Sequence, residues 1–507
     1  MKLTQFSVLD KNEIELIHDS TLHLLEDVGI KIDDENTREL FKEHGAIVNN
    51  QTHFVKIPEA LVKEQLKLVP ESFKLFGPDG TYNIKLNTES IHFATLGAAV
   101  KIFDPSKKNN IRKSILQDNI NNLRLVDKLE NISCSQIDLW PSDTKYTTIH
   151  VVCIYNWLKN SHKPYGHGCF GKLVSEDSIK MASIVARGEQ EIIKNPRLFG
   201  IFNPTSPLHL PKIMTNGLEV FTKYRQPIVI APEALAGTSA PITLAGLLTQ
   251  TNAEILSGII LAQLYHPRAP VFYGSVSHTT DMRSGNSAMG AIETGLITAA
   301  VAQLARYYRI PSRSIGAVTD SKTLDMQNGL ERFQTLLFAA NAGINFITCA
   351  STYEATLAGA LELTVIDNEL IGMVKRAIEG IKVTDDTIGL DVIEKVATNL
   401  DKGATFLGES HTRNYLKKEL YIPELSDRNR RSSWQKSGSK DLIVKAKEKV
   451  DRLLKDFTEY KIEEDIEKEL QNYVELVSKR TYEDYTKIEN IGKSNIRFPD
   501  GKDSSNI

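Results

Sequence analysis

The chain has 507 residues, 41% hydrophobic and 25% charged, with 61 Lys and Arg against 64 Asp and Glu and a formal charge of −3. These are ordinary globular values, so a chain disordered throughout is excluded. No basic field marks nucleic acid as the principal ligand, and no run approaches the ~18 consecutive apolar residues of a membrane span.

The opening run MKLTQFSVLDKNEIELIHD lacks the apolar core of a signal peptide. Residues 12–29 place Ile14, Leu16, Ile17, Leu22, Leu24, Leu25 and Val28 at amphipathic spacing, which predicts a helix stopped by Gly29. Residues 36–44 and 58–69 read as shorter helices, AIVNN and HFVKI as short strands, and 72–90 as a turn-rich stretch around GPDG. Residues 1–90 are therefore expected to form a small α+β extension.

From 91 to 382 short apolar runs alternate with longer helical patterns. The strand candidates are 91–95, 132–137, 163–168, 198–203, 227–233, 270–275, 312–318 and 344–350, with clear helices at 241–265 and 287–308. Alternating β and α elements imply a parallel sheet. About eight units in roughly 290 residues is the size of an α/β fold of the (β/α)8 TIM barrel type, with a doubly wound open sheet ranked second. Residues 383–435 read as a crossing segment with little regular structure. Residues 438–488 read as two or three solvated helices outside the barrel, and 491–507 as a flexible tail.

Few motifs carry chemistry. GHGCFG at 166–171 matches GxGxxG literally, but the polar KNSHKPY before it argues against a dinucleotide site and for a glycine-rich turn. His167 and Cys169 share strand parity, yet lack a third and fourth ligand at short spacing, so no zinc is expected. There is no GxSxG elbow and no P-loop. Cys134, Cys153, Cys169 and Cys349 show no CxxC spacing and read as reduced thiols of a cytoplasmic protein.

A barrel enzyme needs polar residues at strand C-termini. Here those positions hold Asp138, His167, Asn203, Glu233, Ser275, His278, Asp320 and Tyr353, with aromatic neighbours such as Trp140, Phe170, Phe202 and Tyr273. Polar and aromatic residues on one rim favour a cationic or amphiphilic small molecule. The segment 312–332, SRSIGAVTDSKTLDMQNGLER, is the densest chemically, and serves equally as a helix cap or as a pocket lining.

Several blocks resemble the trimethylamine methyltransferase family of corrinoid-linked enzymes. They are IHDSTLHLLEDVGIKI, KIPEALVKEQLKLVPESFKLFGPDG, DMRSGNSAMGAIETGL, TDSKTLDMQNGLE, DDTIGLDVIEKV and GATFLGESHTRNY, in that order, over roughly residues 12–460. The resemblance implies a barrel with an N-terminal extension. Archaeal trimethylamine enzymes of this family carry pyrrolysine near the end of strand seven, whereas 312–332 here holds ordinary residues only. The resemblance then points to the members acting on quaternary amines such as glycine betaine.

The implied reaction moves a methyl group to the Co(I) corrinoid of a separate protein, so no corrinoid is bound by this chain and the expected partners are a corrinoid-binding protein and a small quaternary amine. A neutral amine leaves, so no general acid is required. The expected substrate contacts are Arg313 for a carboxylate, Tyr165, Phe170, Tyr273 and Tyr353 as aromatic faces for the ammonium, and Glu233, His278 and Asp320 around it. A homo-oligomer is expected. The competing readings are a trimethylamine-type enzyme, a barrel lyase or isomerase, and a betaine-binding protein without methyl transfer.

Overall fold

The computed structural model describes residues 6–490. The tail expected at 491–507 lies outside the described residues. Eight parallel strands lie in chain order around one barrel: β1 His92–Thr95, β2 Ser135–Gln136, β3 Tyr165–Gly168, β4 Leu198–Phe202, β5 Ile228–Ile230, β6 Val271–Gly274, β7 Ser312–Ile315 and β8 Phe346–Ala350. β8 pairs with β1, and the ring closes between β1 and β2 through Ser133 N to Phe93 O at 2.7 Å and Thr95 N to Cys134 O at 3.2 Å. Each strand is followed by a helix: α1 Leu116–Lys128, α2 Ile149–Asn160, α3 Lys172–Val185, α4 Lys212–Lys223, α5 Leu244–Tyr265, α6 Ile292–Tyr307, α7 Met326–Ala342 and α8 Leu361–Glu379. This is the expected (β/α)8 TIM barrel.

The lumen is filled at its N-terminal end, and a smaller apolar cluster of Leu96, Val276, Met289, Ile315 and Val318 lies toward the other. Phe199, Val229, Ala231, Phe272 and Phe346 project inward, and the hairpin of strands Ser72–Phe76 and Asn83–Asn87 inserts Leu75, Ile84 and Leu86 beneath them. Phe73 meets Phe272 edge-on at 4.9 Å, and Phe199 meets Phe346 edge-on at 5.3 Å. The stretch 72–90, expected to be turn-rich, is thus a hairpin that plugs the barrel floor. Its period-two alternation, SFKLF and NIKLN, is what lets one face enter an apolar lumen.

The N-terminal helix runs Lys11–His23, continues as a π-helical turn, Leu24–Val28, and stops at Gly29 as expected. Gly29 sits at φ +81°, where an added Cβ would lie 2.4 Å from Val55 O, so only glycine fits this close approach. Helix α5 is buried almost all round because the barrel covers one side and the N-terminal helix the other. Asn252 Nδ2 donates to Thr21 Oγ1 at 2.9 Å across that contact. This is the one described helix long and apolar enough to cross a membrane, and most of it is buried in the fold.

Two expectations need correction. The helix expected at 287–308 starts only at Ile292, because Asn286–Ala288 is a strand paired antiparallel to His278–Asp281. The segment 383–435 is largely helical: α9 Asp385–Ile388, α10 Leu390–Ala397, α11 Ser410–Glu419 and α12 Arg431–Lys436. Gly389 and Gly403, both left-handed at φ +63° and +76°, divide it into helices too short to show periodicity. Three more helices follow, α13 Leu442–Lys455, α14 Glu464–Ser478 and α15 Tyr482–Glu489.

Candidate active site

The C-terminal mouth of the barrel brings together Glu233, His278 and Arg313. Register explains the arginine. Strands β6 and β7 are staggered, so that Gly274, the last residue of β6, lies beside Arg313, the second of β7. The start of β7 is therefore level with the end of β6, and a long side chain rooted there reaches the mouth. On its other side Arg313 pairs with Phe346, which projects inward.

The guanidinium of Arg313 is buried, and no protein atom accepts a hydrogen bond from its Nη1. Burial lowers its pKa to about 10, and Glu233 is the charge that opposes the drop. Glu233 is exposed to water yet ringed by protein, so its carboxylate sits in a recess. Desolvation raises its pKa above the usual carboxylate range, against the pull of His278 and Arg313. No ion pair within 4.0 Å joins Glu233 to Arg313 among the described residues. The mouth therefore holds an anion and a cation that face one another without touching.

His278 is fully buried. Its Nδ1 lies 2.8 Å from Val276 O, an acceptor only, so Nδ1 carries the proton and Nε2 accepts from the Ser287 hydroxyl at 2.6 Å. Burial lowers its pKa, so it stands beside Glu233 as a neutral imidazole with both nitrogens engaged.

The other expected contacts lie elsewhere. Asp320 spends both carboxylate oxygens on backbone donors, Met289 N and Gly290 N, each at 2.9 Å. It ties the β7 loop to the segment before α6, on the border of a polar recess of 730 Å³. Tyr165 points away from the lumen and stacks on Trp157 of α2 at 5.2 Å. Tyr273 also faces outward, stacking on Tyr308 and donating to Asn252 Oδ1 at 2.8 Å. Tyr353 is buried in a side cluster with Ala358, Ala360 and Leu363. The expected cage of Tyr165, Phe170, Tyr273 and Tyr353 is therefore not assembled, because strand parity sends two of its members into the helix layer.

Phe170 alone borders open space. Its ring covers Gly168, where an added Cβ would lie 2.2 Å away, and it lines a cavity of 380 Å³ beside the mouth. Trp140, Tyr146, His150, His167 and Tyr485 share that cavity. It is closed by α15, which Glu489 pins by accepting from Leu173 N at 3.0 Å and Asn216 Nδ2 at 2.9 Å. His167 is buried on the outer face of β3, its pKa lowered to about 4, chiefly by desolvation. Among the described residues no group of three His, Cys, Asp or Glu side chains is placed to hold a metal ion.

A model of the trimethylamine methyltransferase family matches residues 1–483. The chain belongs to the trimethylamine methyltransferase family. A glycine betaine methyltransferase of Desulfitobacterium hafniense (strain Y51) is 34% identical over 436 residues, covering 86% of this chain and 89% of that protein. The trimethylamine methyltransferase MttB of Methanosarcina barkeri is 34% identical over 484 residues, covering 94% and 96%. The solved monomethylamine methyltransferase of Methanosarcina barkeri aligns with 89% of this chain and 96% of its own, at 14% identity and a TM-score of 0.42. This chain is a methyltransferase, and its family moves methyl groups from amines to a corrinoid.

Membership does not restore the outward tyrosines to the site. Tyr273→Phe is expected to leave KM for the amine within about twofold while costing ~1 kcal/mol of stability, the worth of one buried hydrogen bond. Steady-state kinetics and a urea melt check this. The sequence put α15 among solvated helices outside the barrel and missed its return to the rim. Its residues Tyr482, Tyr485 and Glu489 reach the rim from more than 300 positions beyond β3, and their local pattern is that of a solvated helix.

Proposed function

We propose that this methyltransferase demethylates a betaine, a quaternary ammonium that carries its own carboxylate, and passes the methyl group to a corrinoid held by a separate protein. The observation that carries this reading is the unpaired, buried guanidinium of Arg313 facing the accessible carboxylate of Glu233. A buried cation without a partner is costly. A zwitterion laid between the two side chains satisfies both, its carboxylate on Arg313 and its ammonium toward Glu233. Arginine suits the role because its planar fork meets a carboxylate with two hydrogen bonds. The glycine betaine methyltransferase among the relatives supports the substrate class, as does the run of ordinary residues through 312–332.

The corrinoid is the methyl acceptor and belongs to the partner. His278, the imidazole beside the mouth, has both nitrogens engaged within the chain. The acceptor's reduced cobalt supplies the nucleophile. This chain's residues orient the donor. Arg313 holds the carboxylate, which fixes the ammonium toward the open mouth, and positioning of this kind supplies much of the rate in a two-reactant transfer. As the N–C bond breaks, its electron pair stays on nitrogen and the amine leaves neutral, so no side chain has to deliver a proton. Glu233 attracts a charge that fades along the reaction, so it serves binding more than turnover. All four cysteines are buried and unpaired, which suits a reducing compartment, and we place the enzyme in the cytoplasm.

The test is methyl transfer from a panel of betaines, trimethylamine and tetramethylammonium to a reduced corrinoid protein. Transfer from a betaine at ten times or more the kcat/KM of either carboxylate-free amine is the expected result. Equal rates on trimethylamine would overturn the substrate reading, and product formation without corrinoid would overturn the reaction. Glu233→Gln is expected to raise KM about tenfold or more with kcat at saturation within about threefold. Cation binding needs Glu233 ionised, and its pKa is raised. KM of the wild type should therefore climb as pH falls through that raised value, and the glutamine variant should lack this limb in a KM–pH profile.

A further inference from the structure

Methyl transfer at the mouth makes no use of the 380 Å³ cavity beside it. That volume is in the range of small-molecule sites. The cavity lies outside the lumen, because His167 reaches it from the outer face of β3. Its wall is a chain of rings. Trp140 meets Tyr146 at 6.2 Å on one side. On the other, Tyr485 meets His150 edge-on at 6.3 Å, His150 meets His167 at 6.4 Å, and His167 meets Phe170 at 6.0 Å. Tyr146 and Phe170 are each 39% exposed, so water reaches the cavity past them.

A single carboxylate faces this wall. Among the described residues that line the cavity, Glu489 is the one Asp, Glu, Lys or Arg. It is 2% exposed, and its carboxylate accepts from two neutral donors, Leu173 N and Asn216 Nδ2. Among the described residues no Lys or Arg lies within 4.0 Å of it. The N-terminal turn of α3 answers part of its charge, and the rest faces the rings. The other buried carboxylate nearby is differently placed. Asp177 is spent on Arg480, the Tyr473 hydroxyl and His150 Nε2. His167 is neutral at pH 7, so it brings no positive charge to the wall.

We propose that this cavity is a second ammonium site, which takes methylated ammonium cations that carry no carboxylate close to the nitrogen. Aromatic faces attract a cation whose charge is spread over methyl groups, and a buried carboxylate without a cationic partner favours the same charge. A compact, strongly hydrated ammonium ion gains little from rings, so methylation sets the preference. No Lys or Arg lines the described wall, so a carboxylate beside the nitrogen would meet Glu489 with nothing to hold it. The cavity therefore selects in the opposite sense from the mouth, where Arg313 asks for that carboxylate. Helix α15 completes the site. It supplies Tyr485 and Glu489, and the Tyr485 hydroxyl fixes it to the β2 loop by donating to Thr147 O at 2.7 Å. None of these residues enters the betaine reading, which rests on Arg313 and Glu233.

The experiment is calorimetric titration of the full chain with tetramethylammonium chloride, with tryptophan fluorescence followed in parallel. It is run on the wild type and on Glu233→Gln, whose mouth is weakened for cations. A saturable heat and a saturable fluorescence change in both proteins are expected. Ammonium chloride at equal ionic strength should give neither, and glycine betaine should need about tenfold more ligand for the same fluorescence change. Trp140→Phe should remove the fluorescence change and keep the heat, which assigns the signal to this cavity. Glu489→Gln keeps the shape of the side chain that caps α3, and Tyr146→Leu alters a partly exposed ring, so the two variants test charge and wall separately. Circular dichroism and a melt confirm their folds. Each should raise the half-saturation concentration about fivefold or more, with kcat/KM for a betaine within about twofold of the wild type. A fluorescence change lost in Glu233→Gln would place the cation at the mouth and overturn the proposal. Unchanged binding in both Glu489→Gln and Tyr146→Leu, or a response that ammonium ion matches, also overturns it, and each of these results leaves the betaine reading standing.

Discussion

Arg313→Lys is expected to cut kcat/KM for a betaine by roughly 30- to 1,000-fold, the range of ~2–4 kcal/mol for losing a desolvated two-pronged charge contact. Lysine keeps the charge but not the fork, and its shorter reach from the start of β7 leaves the ammonium group of the substrate misplaced. The loss should fall mainly on KM. Tetramethylammonium, which has no carboxylate, serves as the control, and its kcat/KM should change by less than about threefold. Arg313→Met goes further. It removes a buried cation whose Nη1 has no protein acceptor, so it should abolish discrimination between betaines and carboxylate-free amines while raising Tm. That pairing separates a binding role from a structural one, because a structural arginine would lower Tm when lost. Unchanged betaine kinetics in the lysine variant would remove Arg313 from the site.

The second large effect concerns stability. Asp138 follows β2, is fully buried, and accepts from Asn122 Nδ2 at 2.8 Å, with the Thr95 hydroxyl beside it. Desolvation raises its pKa from the usual 3.8 to about 7. Between those values the folded chain binds a proton that the unfolded chain has released, so stability falls as pH rises from about 4 toward about 7 and levels off above that. Three pKa units correspond to ~4 kcal/mol, so the pH-dependent loss is on the order of 2–4 kcal/mol. Asp138→Asn keeps the acceptor for Asn122 and offers its amide to Thr95. The variant should be more stable than the wild type at pH 8 and close to it at pH 5. Chemical denaturation at the two pH values measures this, and a gap that does not widen with pH would count against a protonated Asp138.

The barrel was legible in the sequence because each of its strands is buried on both faces. PIVIAPE, PVFYGS and INFITCA are continuous apolar runs, and a strand sandwiched between lumen and helices has to read that way. The intervening helices are long enough to show their period, so the alternation, the count of eight and the family blocks were all local properties. The hairpin at 72–90 was nearly legible, through its alternation, but nothing local says that a polar-flanked hairpin enters a barrel floor.

The site was decided by tertiary structure. Glu233 and His278 could be named as strand-end polar residues, but their meeting with Arg313 depends on the stagger of β6 against β7. That stagger is set by hydrogen bonds around the whole ring, not by any run of residues. The aromatic cage failed for the same reason. In strands of two to five residues, a shift of one position turns a side chain from the lumen into the helix layer, and Tyr165 and Tyr273 stand on the outer side of that choice. The chain's local chemistry determined which elements form and in what order. Register between strands dozens of residues apart, and the return of α15 to the rim, determined which side chains share the mouth.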